Sequence, residues 1–295
     1  MTNFIQLVFQ GVSLGAIYAL LALGFVVVFR PSRIINFAQG AMLLVGAYLV
    51  SYFTVSLGMP FLLAAVLSCA LLSIAAVVFY STILRGQAGR DPFVAIMITI
   101  GMGIAAVAII EAVFGSQQRL LGDPWGSSSL TVGAYTINWI KVWTLGTAVA
   151  ALAVYFVFDR YTRYGLAVRA TASDEEAASA VGVPVRRVHA ITWAIAGTLA
   201  VLAGIFLAGF PNAPQPALGD AALRAFPAVI LGGLQSASGA IVGGLTIGLI
   251  EMLVAGYSPD WAGANAYSVA PYLVMMLVLL VKPYGLFGSR PVARV

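Results

Sequence analysis

The chain has 295 residues, of which 61% are hydrophobic and 8% charged, and its net charge is +5. Soluble globular domains have about 25% charged residues, so this composition excludes that class, and the mean hydropathy of +1.00 agrees. In a membrane protein, Lys and Arg report topology and not nucleic-acid binding. The sequence predicts an all-α polytopic membrane protein, with a single transmembrane domain over residues 1–295.

Apolar runs mark the membrane spans in chain order. The first run, 4–29, is too long for the hydrophobic region of a signal peptide and follows no basic segment, so it is interpreted as a span. The runs are continuous and not alternating, which argues against a β-barrel. We expect about eight transmembrane helices, together with a broken, re-entrant Gly-rich helix and a short cytoplasmic helix. The apolar runs are 4–29, 34–56, 60–84, 92–114, 139–158, 189–209, 222–256 and 265–281.

Small residues recur at four-residue spacing within the spans. Gly11, Gly15 and Ala19 form such a row in the first span, and Gly244 and Gly248 form another near the end of the chain. A row of this kind lets a neighbouring backbone approach one face of the helix. The rows predict close helix packing, although a chain rich in Gly and Ala also produces them by chance.

The long apolar segment 222–256 is predicted to be broken. As one straight helix it would be about 52 Å long, whereas the hydrocarbon core is roughly 30 Å thick. Its middle, GGLQSASGA at 232–240, is a cluster of helix-weakening residues. We therefore expect a descending arm at 222–234 and a returning arm at 239–256. A broken helix at membrane depth must be shielded by protein or line a cavity.

With that break, the basic residues are strongly asymmetric across the membrane. Arg119, Lys141 and Arg224 fall on one side and twelve others on the opposite side. Because basic residues collect in the cytoplasm, the N-terminus is predicted outside and the C-terminus inside. The 115–138 connection is then external and the 159–188 connection cytoplasmic. The twelve are Arg30, Arg33, Arg85, Arg90, Arg160, Arg163, Arg169, Arg186, Arg187, Lys282, Arg290 and Arg294.

The 159–188 connection contains a short polar helix. Ser173 followed by Glu176 has the spacing of a capping box at a helix start. Gly182 suits the position just after a helix, and Pro184 prevents continuation. These signals predict a helix over Asp174–Val181, about 12 Å long.

This helix is too short to span a membrane. Ala177, Ala180 and Val181 share one face, next to the charges of Asp174, Glu175 and Glu176. A small smooth knob of this kind suits insertion into a groove on a soluble partner. The alternative is an ordinary solvated helix between two spans.

The same stretch carries a family resemblance. DEEAASAVG at 174–182 resembles the coupling loop of ABC-importer permeases, and RIINFAQGAMLLVGAY at 33–48, the 229–251 segment and VKPYGLFG at 281–288 are similar to further blocks of one branch. That branch is the LivH-type permease subunits of branched-chain amino acid ABC importers. The match covers nearly the whole chain in order, but Gln39 stands where many members have His.

The resemblance implies a role as one of two similar permease subunits in a prokaryotic plasma membrane, the second being a distinct homologue. It implies two cytoplasmic ATPase subunits and an external solute-binding protein as further partners. By the same resemblance, the residues that couple to the ATPase are Asp174, Glu175, Glu176, Ala177, Ala178 and Gly182.

The sequence predicts no catalytic activity for this chain itself. It contains no G-x-x-x-x-G-K-[ST] phosphate-binding loop, so ATP is expected on a partner chain. No His, Cys, Asp and Glu cluster has metal-ligand spacing, and no catalytic residue or cofactor is assigned.

Polar and small residues in two segments are candidates for lining a translocation path. Asn36 and Gln39, at the start of the second span, either shape an inner gate or cap a helix and bond a neighbour. The break at 232–240 offers freed backbone next to a membrane cavity, or else forms a tight packing turn. Its candidate residues are Gly232, Gly233, Ser236 and Ser238.

Glu111 and Glu251 lie within apolar spans, where a charge is costly. Each either forms a structural ion pair with Arg224 or Lys141 or contributes to the substrate path, and Glu251 is kept as a path candidate. His189, the one histidine in the chain, is interpreted as a surface or interface residue in preference to a proton relay.

The function predicted is that of a permease subunit of an ABC importer for branched-chain or related amino acids, which forms half of the pathway. The alternative is an ion-coupled secondary transporter, or a channel, that acts without ATPase subunits. In the 115–138 loop, Gln117, Gln118, Arg119 and Asp123 either contact the external binding protein or are merely hydrated.

Overall fold

A computed structural model describes residues 2–87, 91–126, 128–132, 135–209, 212–259 and 265–288. Arg90, Arg290 and Arg294, which entered the topology prediction, lie outside the described residues. The helices are α1 (Thr2–Ser32), α2 (Gln39–Ser51), α3 (Phe61–Thr82), α4 (Pro92–Phe114), α5 (Trp139–Tyr161), α6 (Arg163–Ser173), α7 (Glu175–Ala180), α8 (Val185–Ala208), α9 (Ala221–Gly232), α10 (Ala237–Tyr257) and α11 (Ala266–Val281).

The prediction of an all-α membrane protein is confirmed. Within the described part of the chain, seven helices are long and apolar enough to cross a membrane, while the apolar α11 has only 16 residues. The predicted count of eight stays a prediction. The seven segments are Phe4–Ser32, Gln39–Ser56, Phe61–Gln87, Pro92–Phe114, Trp139–Tyr161, Val185–Ala208 and Ala237–Tyr257.

The bundle has two distinct ends. At the first, here called the α7 end, Arg30 of α1 pairs with Asp159 of α5 at 3.3 Å. At the other, the hairpin end, strands β1 (Ser129–Val132) and β2 (Tyr135–Asn138) form an antiparallel hairpin. This hairpin lies in the 115–138 connection, which was predicted only as an external connection with no strands of its own assigned. Connections assigned to opposite sides of the membrane thus lie at opposite ends of the bundle.

Close packing of α1 on α10 forms the centre of the bundle. A Cβ atom on Gly15 would lie 2.7 Å from Cα of Leu245, and one on Gly244 or Gly248 would overlap the α1 backbone at Ala19 or Gly15. These contacts confirm the packing predicted from the rows of small residues. In lipid, such close approach replaces the hydrophobic effect as the source of helix association.

The predicted break in the Gly-rich segment is confirmed. The descending arm is α9 and the returning arm is α10, each within two residues of its predicted bounds. The turn between them is tied to the chain after α11, since Leu286 N donates to Leu231 O at 2.8 Å. It shares a small cavity with Phe29, near the C-terminal end of α1, so the break lies at the α7 end. The 21-residue α10 is about 31 Å long, which is enough to span a membrane by itself, and the depth of the break in the membrane stays a prediction.

Non-helical backbone also lies inside the bundle between α1 and α2. Residues 33–38, here called the elbow, begin with Arg33 at φ +57° and lead to Gln39, the first residue of α2. The second span therefore starts five residues later than the predicted 34. Asn36 Oδ1 accepts a hydrogen bond of 3.1 Å from Ala38 N, which holds the elbow in a turn. This competition between side chain and backbone explains the late start.

Candidate functional site

Helix α7 begins at a different cap from the predicted one. Ser173 is the last residue of α6, and Asp174 adopts an extended backbone and accepts a 3.0 Å hydrogen bond from Ala177 N through Oδ1. The capping box of Ser173 and Glu176 is therefore wrong. The helix has six residues, Glu175–Ala180, in place of the eight predicted over 174–181.

Gly182 terminates α7 as predicted, although the last helical residue is Ala180 and not Val181. Gly182 has φ +87°, its N donates to Ser179 O, and Val183 N donates to Ala178 O, both at 3.0 Å. This pair of bonds is the Schellman motif, in which a residue with positive φ closes the helix. A glycine fits that position because it has no Cβ.

The exposed surface of α7 is a small knob. Ala178 is buried at 4% exposure and anchors the helix, while Val181 is 80% exposed. Glu176, Ala177 and Ala180 are exposed beside it. The predicted apolar face therefore points away from the bundle, where a partner could cover it. The role of these residues in coupling stays a prediction.

Contacts with the bundle hold α6 and α7 in place. The Nη2 atom of Arg33 donates a 2.9 Å hydrogen bond to Ala172 O on α6. Glu175 Oε1 lies 3.5 Å from Nε2 of His189, whose side chain is only 6% exposed. His189 is thus an interface residue between α7 and α8 and not a surface residue.

Asn36 and Gln39 meet inside the bundle, where both are fully buried. Asn36 Nδ2 donates to Gln39 Oε1, and Gln39 Nε2 donates to Ala196 O of α8, each at 3.3 Å. Ala196 is eleven residues into α8, so this contact lies about 16 Å from the helix start. These hydrogen bonds support the bonding of a neighbour, whereas α2 has no side-chain cap at its start, and a gate role stays a prediction.

A cavity of about 490 Å³ lies beside the elbow. Its walls are mainly apolar, but Glu111 of α4 and Asp220, just before α9, both line it and both are exposed. Carboxylates at this position do not suit contact with lipid tails. Phe25, Phe37, Gly40, Gly103 and Phe226 are among the other lining residues.

Sequence reasoning missed most of this cavity. Asp220 and Gly40 come together because residues 216–220 pass across the start of α2, and a Cβ on Gly40 would overlap Gly219 O. No periodicity within one segment reports such a contact. The only local signal is a glycine directly after Gln39 and an acidic residue directly before a helix.

The residues of the break are packed. Ser236 Oγ accepts a 3.0 Å hydrogen bond from Gly239 N and caps α10, and it lies 3.1 Å from Ser238 Oγ. A Cβ on Gly232 would overlap Gly239 O, and Gly233 has φ +97° against the backbone of the 284–288 segment. These contacts support the packing-turn alternative. None of the four path candidates in the break lines the 490 Å³ cavity, so that role stays a prediction.

Glu251 has a different partner from the predicted ones. Tyr18 donates a 2.7 Å hydrogen bond to its Oε2, and both side chains are buried. Among the described residues, the ion pairs join Arg30 and Arg169 to Asp159, and His189 to Glu175. The prediction of an ion pair with Arg224 or Lys141 is therefore wrong, and the contact with Tyr18 supports a structural role for Glu251.

Residues of the 115–138 connection lie against the loop before α9. Gln118 Nε2 donates to Gln215 Oε1 at 2.9 Å, and Arg119 N donates to Pro214 O at 3.1 Å. The connection therefore packs beside Pro214 and Gln215. Contact with an external protein stays a prediction for Gln117, Gln118, Arg119 and Asp123.

Comparison with known proteins shows similarity over nearly the whole chain. Residues 7–280 match a family model described as branched-chain amino acid transport system, permease component. The chain is 32% identical to the high-affinity branched-chain amino acid transport system permease protein LivH of Salmonella typhimurium, over 99% of this chain and 98% of that protein. The same figures apply to LivH of Escherichia coli strain K12. It is 25% identical to the corresponding permease protein BraD of Pseudomonas aeruginosa, over 99% and 98% of the two chains.

Proposed function

The chain belongs to the family of branched-chain amino acid transport system permease components, which confirms the resemblance, and from this premise we propose its function. It is a transmembrane permease subunit of an ABC importer for branched-chain or related amino acids in a prokaryotic plasma membrane. It forms half of the translocation pathway, and a second, distinct permease homologue forms the other half. Two cytoplasmic ATPase subunits hydrolyse ATP, and an external solute-binding protein delivers the substrate.

The exposed knob of α7 is the observation that carries this proposal. It is capped at both ends, anchored by Ala178, and presents Val181 and Glu176 outward. A six-residue helix that buries one side chain and exposes a small apolar face is suited to a groove on another protein. We assign that groove to the ATPase subunit.

The charge distribution supports a cytoplasmic position for the α7 end. Arg30, Arg33, Arg85 and Arg160 lie there, next to α7 or at the ends of neighbouring helices. Basic residues collect on the cytoplasmic side. The proposal therefore places the N-terminus outside, the hairpin end outside, and the C-terminus in the cytoplasm.

The 490 Å³ cavity is the proposed half-pathway. Its apolar walls suit an aliphatic side chain, and the carboxylates of Glu111 and Asp220 suit an ammonium group. Its open side is where the second permease subunit closes the pathway. Related amino acids share both features, so the external binding protein selects among them.

Reconstitution tests the proposal. The chain is co-expressed with the second permease and the ATPases of its own importer, and the purified complex is placed in proteoliposomes with the binding protein. We expect uptake of radiolabelled leucine, isoleucine or valine that requires ATP and stops when the ATPase subunits carry an inactivating substitution. Uptake driven by an ion gradient without ATPase subunits would establish the secondary transporter, and an ionic conductance without a transport cycle would establish the channel.

A further inference from the structure

His189 lies where α7, α8 and α3 meet. Its Nε2 atom is 3.5 Å from Oε1 of Glu175, and its ring faces the ring of Tyr80 with centroids 5.6 Å apart. Its Nδ1 atom is buried with no hydrogen-bond partner among the described residues. The contact with Glu175 is therefore the polar link between this side chain and α7.

The two glutamates of α7 have different surroundings. Both are exposed, but only for Glu175, whose side chain is 49% exposed, does the described structure record a contact with His189. Glu176 is available to a partner protein alone. Glu175 therefore lies between the exposed surface of α7 and the start of α8.

Helix α8 carries this contact into the membrane. His189, Trp193 and Ala196 follow at i, i+4 and i+7 and so lie on one face. Trp193 is almost fully buried and packs on Phe79 of α3 at 5.6 Å between ring centroids. From His189 to Ala196 the regular helix rises about 10 Å, and it moves as one unit because its backbone hydrogen bonds are internal.

The elbow lies next to Ala196, at the end of this face that is farther from α7. Ala196 O accepts the hydrogen bond from Gln39 Nε2, and Gln39 Oε1 accepts the one from Asn36. At its other end the elbow is tied to α6 through Arg33 and Ala172 O. The elbow is thus bonded directly to α6 and, by way of Gln39 at the start of α2, to α8. Its residue Phe37 lines the 490 Å³ cavity.

We propose that His189 is a positioning residue that transmits movement of α7 through α8 and Gln39 to the wall of the cavity. The inference rests on the proposed function, in which an ATPase moves α7. It adds a route inside the bundle and assigns different tasks to the two glutamates. Glu176 contacts the ATPase, and Glu175 passes the movement to His189.

The test measures amino acid transported per ATP hydrolysed in the reconstituted complex. His189→Phe keeps a ring against Tyr80 but removes the polar contact, and we expect the ratio to fall at least about fivefold, the lower end of typical coupling between sites, while ATP hydrolysis continues. His189→Gln retains a donor and restores most of the ratio. Glu175→Gln lowers the ratio in the same direction and, because this side chain is half exposed, does not threaten folding.

The control is Ser73→Ala. This change removes a 2.9 Å hydrogen bond from Ser73 on α3 to Ala194 O on α8, at a point outside the proposed route. It should leave the ratio unchanged. Gln39→Leu should lower the ratio, and combining it with His189→Phe should add no further loss, because both changes interrupt one route.

Three outcomes would overturn the inference. These are an unchanged ratio in both His189→Phe and Glu175→Gln, an equal fall in Ser73→Ala, or losses that multiply in the double variant. If the unaltered chain transports with ATP while the variants keep its ratio, only this route is wrong. If the unaltered chain does not assemble with ATPase subunits, the proposed function fails and the route fails with it.

Discussion

The hydroxyl group of Tyr18 on α1 donates a 2.7 Å hydrogen bond to Oε2 of Glu251 on α10, inside the interface at the centre of the bundle. Replacing Tyr18 by Phe leaves the buried carboxyl group without this donor. We expect a stability loss of about 1 kcal/mol, the scale of side-chain hydrogen bonds between membrane helices. The apparent unfolding temperature of the purified protein in detergent measures it.

Tyr272→Phe is the matched control for this prediction. It removes a hydrogen bond of 3.2 Å to Leu223 O at an exposed position. Water or detergent headgroups replace that bond, so the unfolding temperature should barely change. Equal shifts in the two variants would show that the bond between Tyr18 and Glu251 has no special structural role.

The packing of α1 on α10 gives a second prediction. A Cβ on Gly248 would overlap the backbone of Gly15, and no side-chain rotation relieves an overlap with backbone. We expect Gly248→Ala to cost about 1 to 3 kcal/mol through forced separation of the helices. Gly146→Ala on α5 meets nothing within 4 Å and should be neutral or slightly stabilising. The yield of monodisperse protein and its unfolding temperature distinguish the two.

Features that depend on neighbouring residues could be predicted from the sequence, whereas features that depend on long-range packing could not. The break after Gly232 and the Gly182 end of α7 were predictable, because glycine and the residues around it act locally. The cap moved from Ser173 to Asp174 because Ser173 belongs to α6, a helix that was not predicted from the sequence, and α6 is held by the bond from Arg33 to Ala172 O. That bond joins residues 139 positions apart.

The candidate path shows the same division. Asn36 and Gln39 were selected because polar residues at the start of an apolar span are conspicuous. Their bond to Ala196 and the cavity beside Gly40 and Asp220 depend on how α2, α4, α8 and the start of α9 meet. Composition and periodicity within one segment do not report how these elements pack against one another.

The cavity gives a third prediction. A Cβ on Gly103 would lie 3.6 Å from Cα of Ala38, in ordinary contact, so a larger side chain there extends into the 490 Å³ space. Gly103→Leu should abolish uptake in proteoliposomes while the ATPase subunits still co-purify with the chain. Gly101→Leu, two residues away and outside the cavity lining, is the control. Uptake that survives Gly103→Leu would remove this cavity from the pathway.

The closure of α7 gives a fourth prediction. Gly182 has φ +87°, and an alanine there costs about 1 to 2 kcal/mol of backbone strain. We expect Gly182→Ala to loosen the end of α7, displace Val181 and weaken co-purification of the ATPase subunits. Gly58→Ala carries similar strain, at φ +66°, in a loop between α2 and α3 at the hairpin end. If both variants lose the ATPase equally, general instability and not the shape of α7 is responsible.

The most direct test of the account is thiol cross-linking from the tip of α7. Val181→Cys is made with Cys69, the one native cysteine, replaced by Ser; its thiol is alkylated with a maleimide that carries a short photoreactive arm, and the assembled complex is irradiated. We expect a covalent product with the ATPase subunit from Val181→Cys and none from Thr136→Cys at the hairpin end. In intact cells a membrane-impermeant thiol reagent should label only the Thr136→Cys protein. Labelling of Val181→Cys from outside, or no cross-link in a complex that contains the ATPase, would contradict the account.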